Sequence, residues 1–408
     1  MKTKFYLASY IYYVKRSNNR LMLYNTKSGE VIERNSIACC NLVDEIYNPS
    51  NLGVIDFDEN EFKDTEVGSF VEEIVTKNFG NIHQQKKNSP QLINLLPILN
   101  LQNDVERLKV NNEFLIGENL LKYLNELTIY INNVCTQNCS YCTEYFKQAK
   151  SCYKESTNNC LEISCIKNIL DSLAYSSLKK INVLGGNIFS YPYFEELLAL
   201  IQNYDFQFHL WNHYLNFDNR GDNWTKNKNS IIENIIVTFP LNEDKLNDIL
   251  SSEKKEKVIH FLIENEFHYE EVEKLIPRLK DYTIMPIYTR KNEAFFRENV
   301  FMNKEDIFGE IISHRSIFCN QKLNSNFFGK LYILSDGSFK ANMNASILGN
   351  IKNDSILEIL YKELDQNTAW RKVRDIQPCN DCMYKHLCPP PSNYETIIGK
   401  PNLCHVHP

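Results

Sequence analysis

The chain has 408 residues, 43% hydrophobic and 24% charged, with a formal charge of −6 and a pI near 5.9. That length allows two or three domains with a large core, and the acidic balance without a basic run argues against a nucleic-acid partner. No stretch approaches the roughly 18 apolar residues of a membrane span, and segment 5–14 (FYLASYIYYV) lacks a small-residue cleavage site and runs into Lys15-Arg16. It reads as a strand rather than an export signal, which leaves a cytoplasmic location as the expectation.

In chain order, residues 1–85 form a first module. FYLASYIYYVK and RLMLYNT flank the polar Ser17-Asn18-Asn19, and Lys27-Ser28-Gly29 opens a second turn before VIE. Helical patterns follow near 36–47 and 67–79. Three short strands with two or three helices is a winged-helix-like layout. Residues 86–125 are polar around LINLLPIL and serve as connector.

Residues 126–312 alternate strand and helix. The strand candidates are LTIYIN (127–132), INVLG (181–185), FQFHLW (206–211), IIVTFP (235–240), VIHFLIEN (258–265) and YTIMPIY (282–288). Alternation of this kind predicts βαβ units and an α/β fold, a parallel sheet curled into a partial (β/α)6 TIM-like barrel with its chemistry at the C-terminal strand ends. Residues 313–408 show little helical pattern. They contain Asp336-Gly337, a hairpin turn, and end in a cysteine-rich stretch.

Thirteen cysteines without an export signal argue against a disulfide framework, so spacing decides what they do. Cys135-x3-Cys139-x2-Cys142 follows the first strand of the alternating region directly. Three thiolates on so tight a loop can each hold one iron of a cube and leave a fourth iron open. Zinc normally takes four ligands, and no His or fourth Cys lies within the loop, although three unrelated thiols would give the same pattern. Cys379-x2-Cys382-x5-Cys388-x15-Cys404 supplies four thiolates, and on residues alone a closed cluster and a structural zinc fit it equally. Cys39, Cys40, Cys152, Cys160 and Cys165 lack ligand-like spacing among themselves and read as small buried hydrophobes.

The first cysteine set, with the aromatic Tyr141 before its last Cys, resembles that of the radical S-adenosylmethionine superfamily. The resemblance implies a [4Fe–4S] cluster whose open iron chelates S-adenosyl-L-methionine. A glycine-rich family marker after the second strand corresponds to Gly185-Gly186-Asn187, where the glycines let backbone approach the cofactor and Asn187 stands in place of a Glu. The C-terminal set resembles the SPASM domain, which implies an auxiliary [4Fe–4S] cluster on Cys379, Cys382, Cys388 and Cys404. A further auxiliary site would use Cys319 together with the positions held here by Asn342 and Ser392, neither a usual ligand, so its loss is expected.

Enzymes of this kind mostly modify peptides. The resemblance therefore implies a ribosomally made precursor peptide bound through its leader, an external reductant, and hydrogen abstraction from the peptide. The first module would take the leader as an added strand. A nucleic-acid-binding winged helix is disfavoured by Asp56, Asp58, Glu59, Glu61, Asp64 and Glu66. The alternative is a pseudo-radical scaffold that binds the leader and a partner maturase, suggested by Asn187 and the depleted auxiliary site.

Overall fold

The computed structural model describes residues 2–16, 19–58, 62–85, 90–96, 120–137, 139, 142–155, 157–217, 231–251 and 256–406. Among them the first module carries six strands rather than three. β1 (Lys2–Leu7) is flanked by β5 (Ile55–Asp56) and β6 (Gly80–Gln85), while β2 (Ile11–Lys15), β3 (Arg20–Asn25) and β4 (Val31–Asn35) make a second antiparallel sheet. Helix α1 (Ile37–Tyr47) starts where the Ser36 hydroxyl accepts from the Cys39 N–H. Helix α2 (Glu66–Thr76) buries Val67, Phe70, Val71 and Ile74, an i, i+3, i+4, i+7 face, against a core that includes Cys39 and Cys40. The second sheet packs its other face on the C-terminal region, where Tyr12, Val14, Met22 and Tyr24 meet Ile307, Ile317 and Met383.

All six strands expected in the alternating region are present. They are β7 (Glu126–Tyr130), β8 (Lys180–Leu184), β9 (Gln207–His213), β10 (Ile231–Val237), β11 (Lys257–Ile263) and β12 (Tyr282–Pro286), parallel and neighbours in sequence order. Both faces are covered, which explains their near-continuous apolar runs. Leu127, Ile129, Ile181, Val183, Phe208 and Leu210 point outward onto the helices Ile163–Leu173 and Phe194–Ile201. Tyr130, Leu184, Trp211, Ile236 and Leu262 pack together on the other face.

That face is concave. Neighbouring strands lie about 4.8 Å apart, so a flat sheet would separate β7 from β12 by roughly 24 Å. Yet Gln148, in the helix after β7, exchanges two hydrogen bonds (2.8 and 2.7 Å) with the backbone of Tyr288, just beyond β12. The Tyr145 hydroxyl likewise donates to Glu264, just past β11.

The Asp336-Gly337 turn does join a hairpin, with Gly337 at φ +85°, between β13 (Lys330–Ile333) and β14 (Ser338–Lys340). The hairpin is not a separate layer. β13 pairs in parallel with β7, so with β15 (Gly349–Asn350) the sheet reaches nine strands. The C-terminal region is also more helical than its sequence reading. Helix Ile356–Gln366 begins with a capping box between Ser355 and Glu358 and buries Ile356, Ile359 and Leu360. No helix among the described residues is long and apolar enough to cross a membrane.

Candidate functional site

Cys135, Cys139 and Cys142 converge on one cavity with about 410 Å³ of empty space. It lies at the C-terminal ends of the central strands, where Gly186, His213, Ile236, Thr238 and Leu262 complete the wall. Cys142 opens the helix Cys142–Gln148, so the loop ends where a regular element fixes its direction. Among the described residues no group of three or more His, Cys, Asp or Glu side chains is arranged to hold a metal ion.

Two neutral donors sit beside the sulfurs. The Asn216 amide donates to Cys135 Sγ (3.5 Å), and His213 Nε2 lies 3.9 Å from Cys139 Sγ and 3.0 Å from Thr238 Oγ1. Burial holds His213 neutral, its pKa lowered to about 4. Burial, then the neighbouring Cys135 and Cys142, push the Cys139 thiol up to about 11. Cys142 is also raised by burial, with Lys154 opposing. Burial thus favours the neutral thiol form at both positions.

The glycine pair serves the fold before any cofactor. A Cβ on Gly185 would fall on the Asn132 side chain, and one on Gly186 on the Val134 carbonyl. These glycines let the end of β8 press against the segment leaving β7, the segment that carries Cys135. Asn132 locks the contact by accepting from the Gly186 N–H (3.0 Å) and donating to the Asn187 carbonyl (2.9 Å). The Asn187 side-chain oxygen accepts from the Phe189 N–H (3.1 Å), capping the short turn Ile188–Ser190. Gly186 lines the cavity. Tyr141 lies outside the described residues.

Cys379, Cys382, Cys388 and Cys404 border a second cavity with about 400 Å³ of empty space. Cys404 is brought back to the other three by pairing of its strand-like tail with Met302, whose N–H donates to the Leu403 carbonyl (3.0 Å) and whose carbonyl accepts from His405 (2.9 Å). Arg374 stands over the set, 4.0 Å from Cys379 Sγ, anchored by Glu395 (2.8 Å) and the Pro389 carbonyl (2.6 Å). Burial pushes Cys388 up to about 12 despite Arg374. Asn402 donates to Cys404 Sγ (3.2 Å), and the Tyr384 N–H to Cys382 Sγ (3.4 Å).

At the positions of the further auxiliary site, Asn342 and Ser392 are taken up by hydrogen bonds to other residues. Asn342 donates to Asn393 (2.8 Å), Ser392 caps the helix Asn393–Ile398 and bonds Glu395 (2.6 Å), and Cys319 lies half-buried in the helix His314–Asn320.

Sequence reasoning missed His213, Asn216, Thr238, Lys154 and Arg374, and it set Cys152 aside although Cys152 lines the first cavity. His213 and Thr238 stand at or just beyond the C-terminal ends of β9 and β10, so the rule that chemistry gathers there could have flagged them. The others carry no local motif.

No family model and no curated protein matches the chain. Among solved structures, SuiB of Streptococcus suis bound to S-adenosylmethionine aligns at a TM-score of 0.46 and 12% identity over 97% of each chain. SuiB bound to its precursor peptide SuiA aligns at 0.44 and 14% identity, over 99% of this chain and 98% of that one. At that identity and score neither likeness bears on function.

Proposed function

We propose that the chain is a radical S-adenosylmethionine peptide maturase with two iron–sulfur sites. The observation that carries this reading is the convergence of Cys135, Cys139 and Cys142 on one cavity at the strand ends of a concave parallel sheet, which we read as an open barrel. These three thiols would hold a [4Fe–4S] cluster, and Cys379, Cys382, Cys388 and Cys404 an auxiliary one. When bound and reduced by an external donor, the first cluster and S-adenosylmethionine supply a carbon radical that abstracts hydrogen from the peptide. The protein positions the reacting atom and keeps water away, with Tyr145, Ile236 and Leu262 forming the dry floor of the cavity.

The first module suits leader binding, and a winged-helix-like role for it is part of the proposal. β6 is an edge strand of its sheet, and a groove beside it is walled by Val71 and Val75 of α2 with Ile82 of β6. An extended peptide laid there adds a strand through backbone hydrogen bonds. A scaffold acting beside a partner maturase is the second reading. It is favoured by Asn187, whose acceptor already caps a turn and lacks the charge that strengthens a bond to an ammonium group.

The test is an anaerobic iron and sulfide count with an electron paramagnetic resonance spectrum, with and without S-adenosylmethionine. About eight irons and a spectrum perturbed by the cofactor are expected. About four irons and no response would leave only the C-terminal site filled and favour the scaffold.

A further inference from the structure

We propose that the cavity between the helix Cys142–Gln148, β13 and the start of the helix Asn393–Ile398 binds the carboxylate of a small organic acid, held by Lys150, Lys330 and the Tyr332 hydroxyl. This site is independent of whatever the two cysteine sets hold.

Three neighbouring strands bring the charges together. Glu126 of β7 lies directly across from Lys330 of β13 on one side and Lys180 of β8 on the other, and residues paired across parallel strands share a face. That face is the concave one, since Tyr332, Tyr130 and Leu184 follow on it at alternate positions. Lys150 arrives from the segment after the helix Cys142–Gln148, ion-pairs with Glu126 and reaches to 5.8 Å from the centre of the Trp211 ring. The Asn182 amide donates to the same carboxylate (3.0 Å). One carboxylate therefore faces three ammonium groups, and Lys150 already occupies it. Lys330 has no ion pair or hydrogen bond among the described residues. Burial lowers its pKa, with Glu126 opposing and Lys150 and Lys180 adding to the effect. A half-buried cation left so is stabilised by an anion brought to it.

Lys150 and Lys330 both line a cavity with about 700 Å³ of empty space, within the range of small-molecule sites. Two neutral donors stand at the same wall. Tyr332 is 8% exposed, lines the cavity, and its hydroxyl has no hydrogen-bond partner among the described residues. A buried hydroxyl left so is rare in a finished structure and calls for a bound group. Asn393 accepts through its side-chain oxygen from the amides of Asn342 (2.8 Å) and Asn344 (3.0 Å), so its NH2 group is the end left for the cavity. Ammonium and amide groups only donate, and with the hydroxyl they select a ligand that only accepts, which a carboxylate does.

Much of the remaining wall is apolar or already engaged. Phe146, Phe327 and Met343 face the space. The Gln148 amide is taken up by the Tyr288 backbone, and the Tyr394 hydroxyl by the Pro286 carbonyl (2.7 Å). A bare inorganic anion would leave the rings without contact, whereas an organic acid sets its carboxylate among the donors and its body against them. The helix Cys142–Gln148 separates this space from the first cysteine cavity, since Tyr145 lines that one and Phe146 this one.

The experiment titrates the full chain with phenylacetate, phenylacetamide and inorganic phosphate by isothermal calorimetry, in wild type, Lys330→Met and Tyr332→Phe. Phenylacetate is expected to bind the wild type with a Kd of about 1 mM or below. The amide and phosphate should bind at least about tenfold more weakly, and each variant should lose at least about tenfold in affinity for phenylacetate. Tyr332→Phe removes one oxygen and keeps the ring, so it carries the comparison should Lys330→Met fold poorly by circular dichroism. Equal binding of the amide overturns the role of the charge, and phosphate binding more tightly than phenylacetate overturns the organic body. Wild-type affinity in both variants overturns the location. No heat with phenylacetate, hexanoate or indole-3-acetate overturns the site altogether. None of these readouts depends on iron content, so each failure leaves the cluster reading untouched.

Discussion

The two cysteine cavities are nearly equal in volume and opposite in construction. The first draws its walls from loops after β7, β8, β9, β10 and the Cys142 helix, and its floor is the apolar face of the sheet. The second is built from residues 374–406 with a contribution from Met302 and Ile307, and a guanidinium presides over it. Behind it, Arg16 donates to the Cys382 carbonyl (2.7 Å) and Tyr384 to Glu33 (2.6 Å), so the first module leans directly on the cysteine loop. A site assembled from strand ends can change its contents without moving the fold. A site that ties together a poorly patterned tail and the first module cannot. The first is therefore the better placed of the two for chemistry, and the second for structure.

Removing each set in turn gives the largest expected contrast. Cys135→Ala with Cys139→Ala and Cys142→Ala should halve the iron content and abolish cofactor cleavage while leaving thermal unfolding near wild type. Cys382→Ala with Cys388→Ala should also halve the iron, but lower the melting temperature sharply, because a lost structural metal site removes folding energy outright. Equal melting temperatures for the two variants would break the division of labour.

Arg374 sharpens the same point at a smaller scale. It is buried with Glu395, their side chains 9% and 8% exposed. Breaking a buried pair from one side costs about 3–5 kcal/mol. Arg374→Met should lose that much in denaturant unfolding and loosen the second cluster, with the first unaffected.

The floor beneath the first cavity makes a pH prediction. The Asn234 amide nitrogen donates to His209 Nδ1 (3.1 Å), and its oxygen is 3.0 Å from His260 Nε2, whose Nδ1 faces the Thr283 hydroxyl at 2.7 Å. The His209 imidazole is held neutral, since a proton on its Nδ1 would face an amide N–H. Burial, then nearby Lys150 and Lys180, lower His260 to about 4, and burial, then Lys180, does the same to His209. A folded pKa below the unfolded one of about 6.5 means stability is complete above pH 6.5 and is lost as pH falls towards 4. His260→Gln should flatten the fall in unfolding free energy over that range by roughly 3 kcal/mol at most; an unchanged slope in denaturant unfolding would remove His260 as its cause.

How much of this was legible follows from what carries each feature. The six parallel strands were readable because burial on both faces writes continuous apolar runs, and the grouping of each cysteine set at one cavity because the spacing is local. The first module's extra strands were not. β5 has two residues, too few for any periodicity, and β6 (GNIHQQ) is an edge strand with no apolar alternation. The helix Ile356–Gln366 carried a readable signal in Ser355-x2-Glu358 that went unused. His213 could not be placed, since its relation to the trio is made by the curl of the sheet and not by the chain. The glycine pair was noticed for its freedom, and nothing in the sequence signalled that a Cβ there would also fall on Asn132 and Val134.

Asn187 is where that lesson can be tested with the smallest effect. Its oxygen caps the turn at Phe189, a bond of a kind whose loss costs about 1 kcal/mol. Asn187→Glu supplies an acid but adds a methylene, so the short bond two residues on is lost with it. Asn187→Asp keeps the length and the cap and adds the charge. The Asp variant should therefore unfold within about 0.5 kcal/mol of wild type and bind S-adenosylmethionine more tightly, a charged hydrogen bond being roughly twice as strong as a neutral one. The Glu variant should lose about 1 kcal/mol. If the Asp variant is stable yet gains no affinity by calorimetry, residue 187 serves the turn alone, and the cavity meets the cofactor's amine through another group.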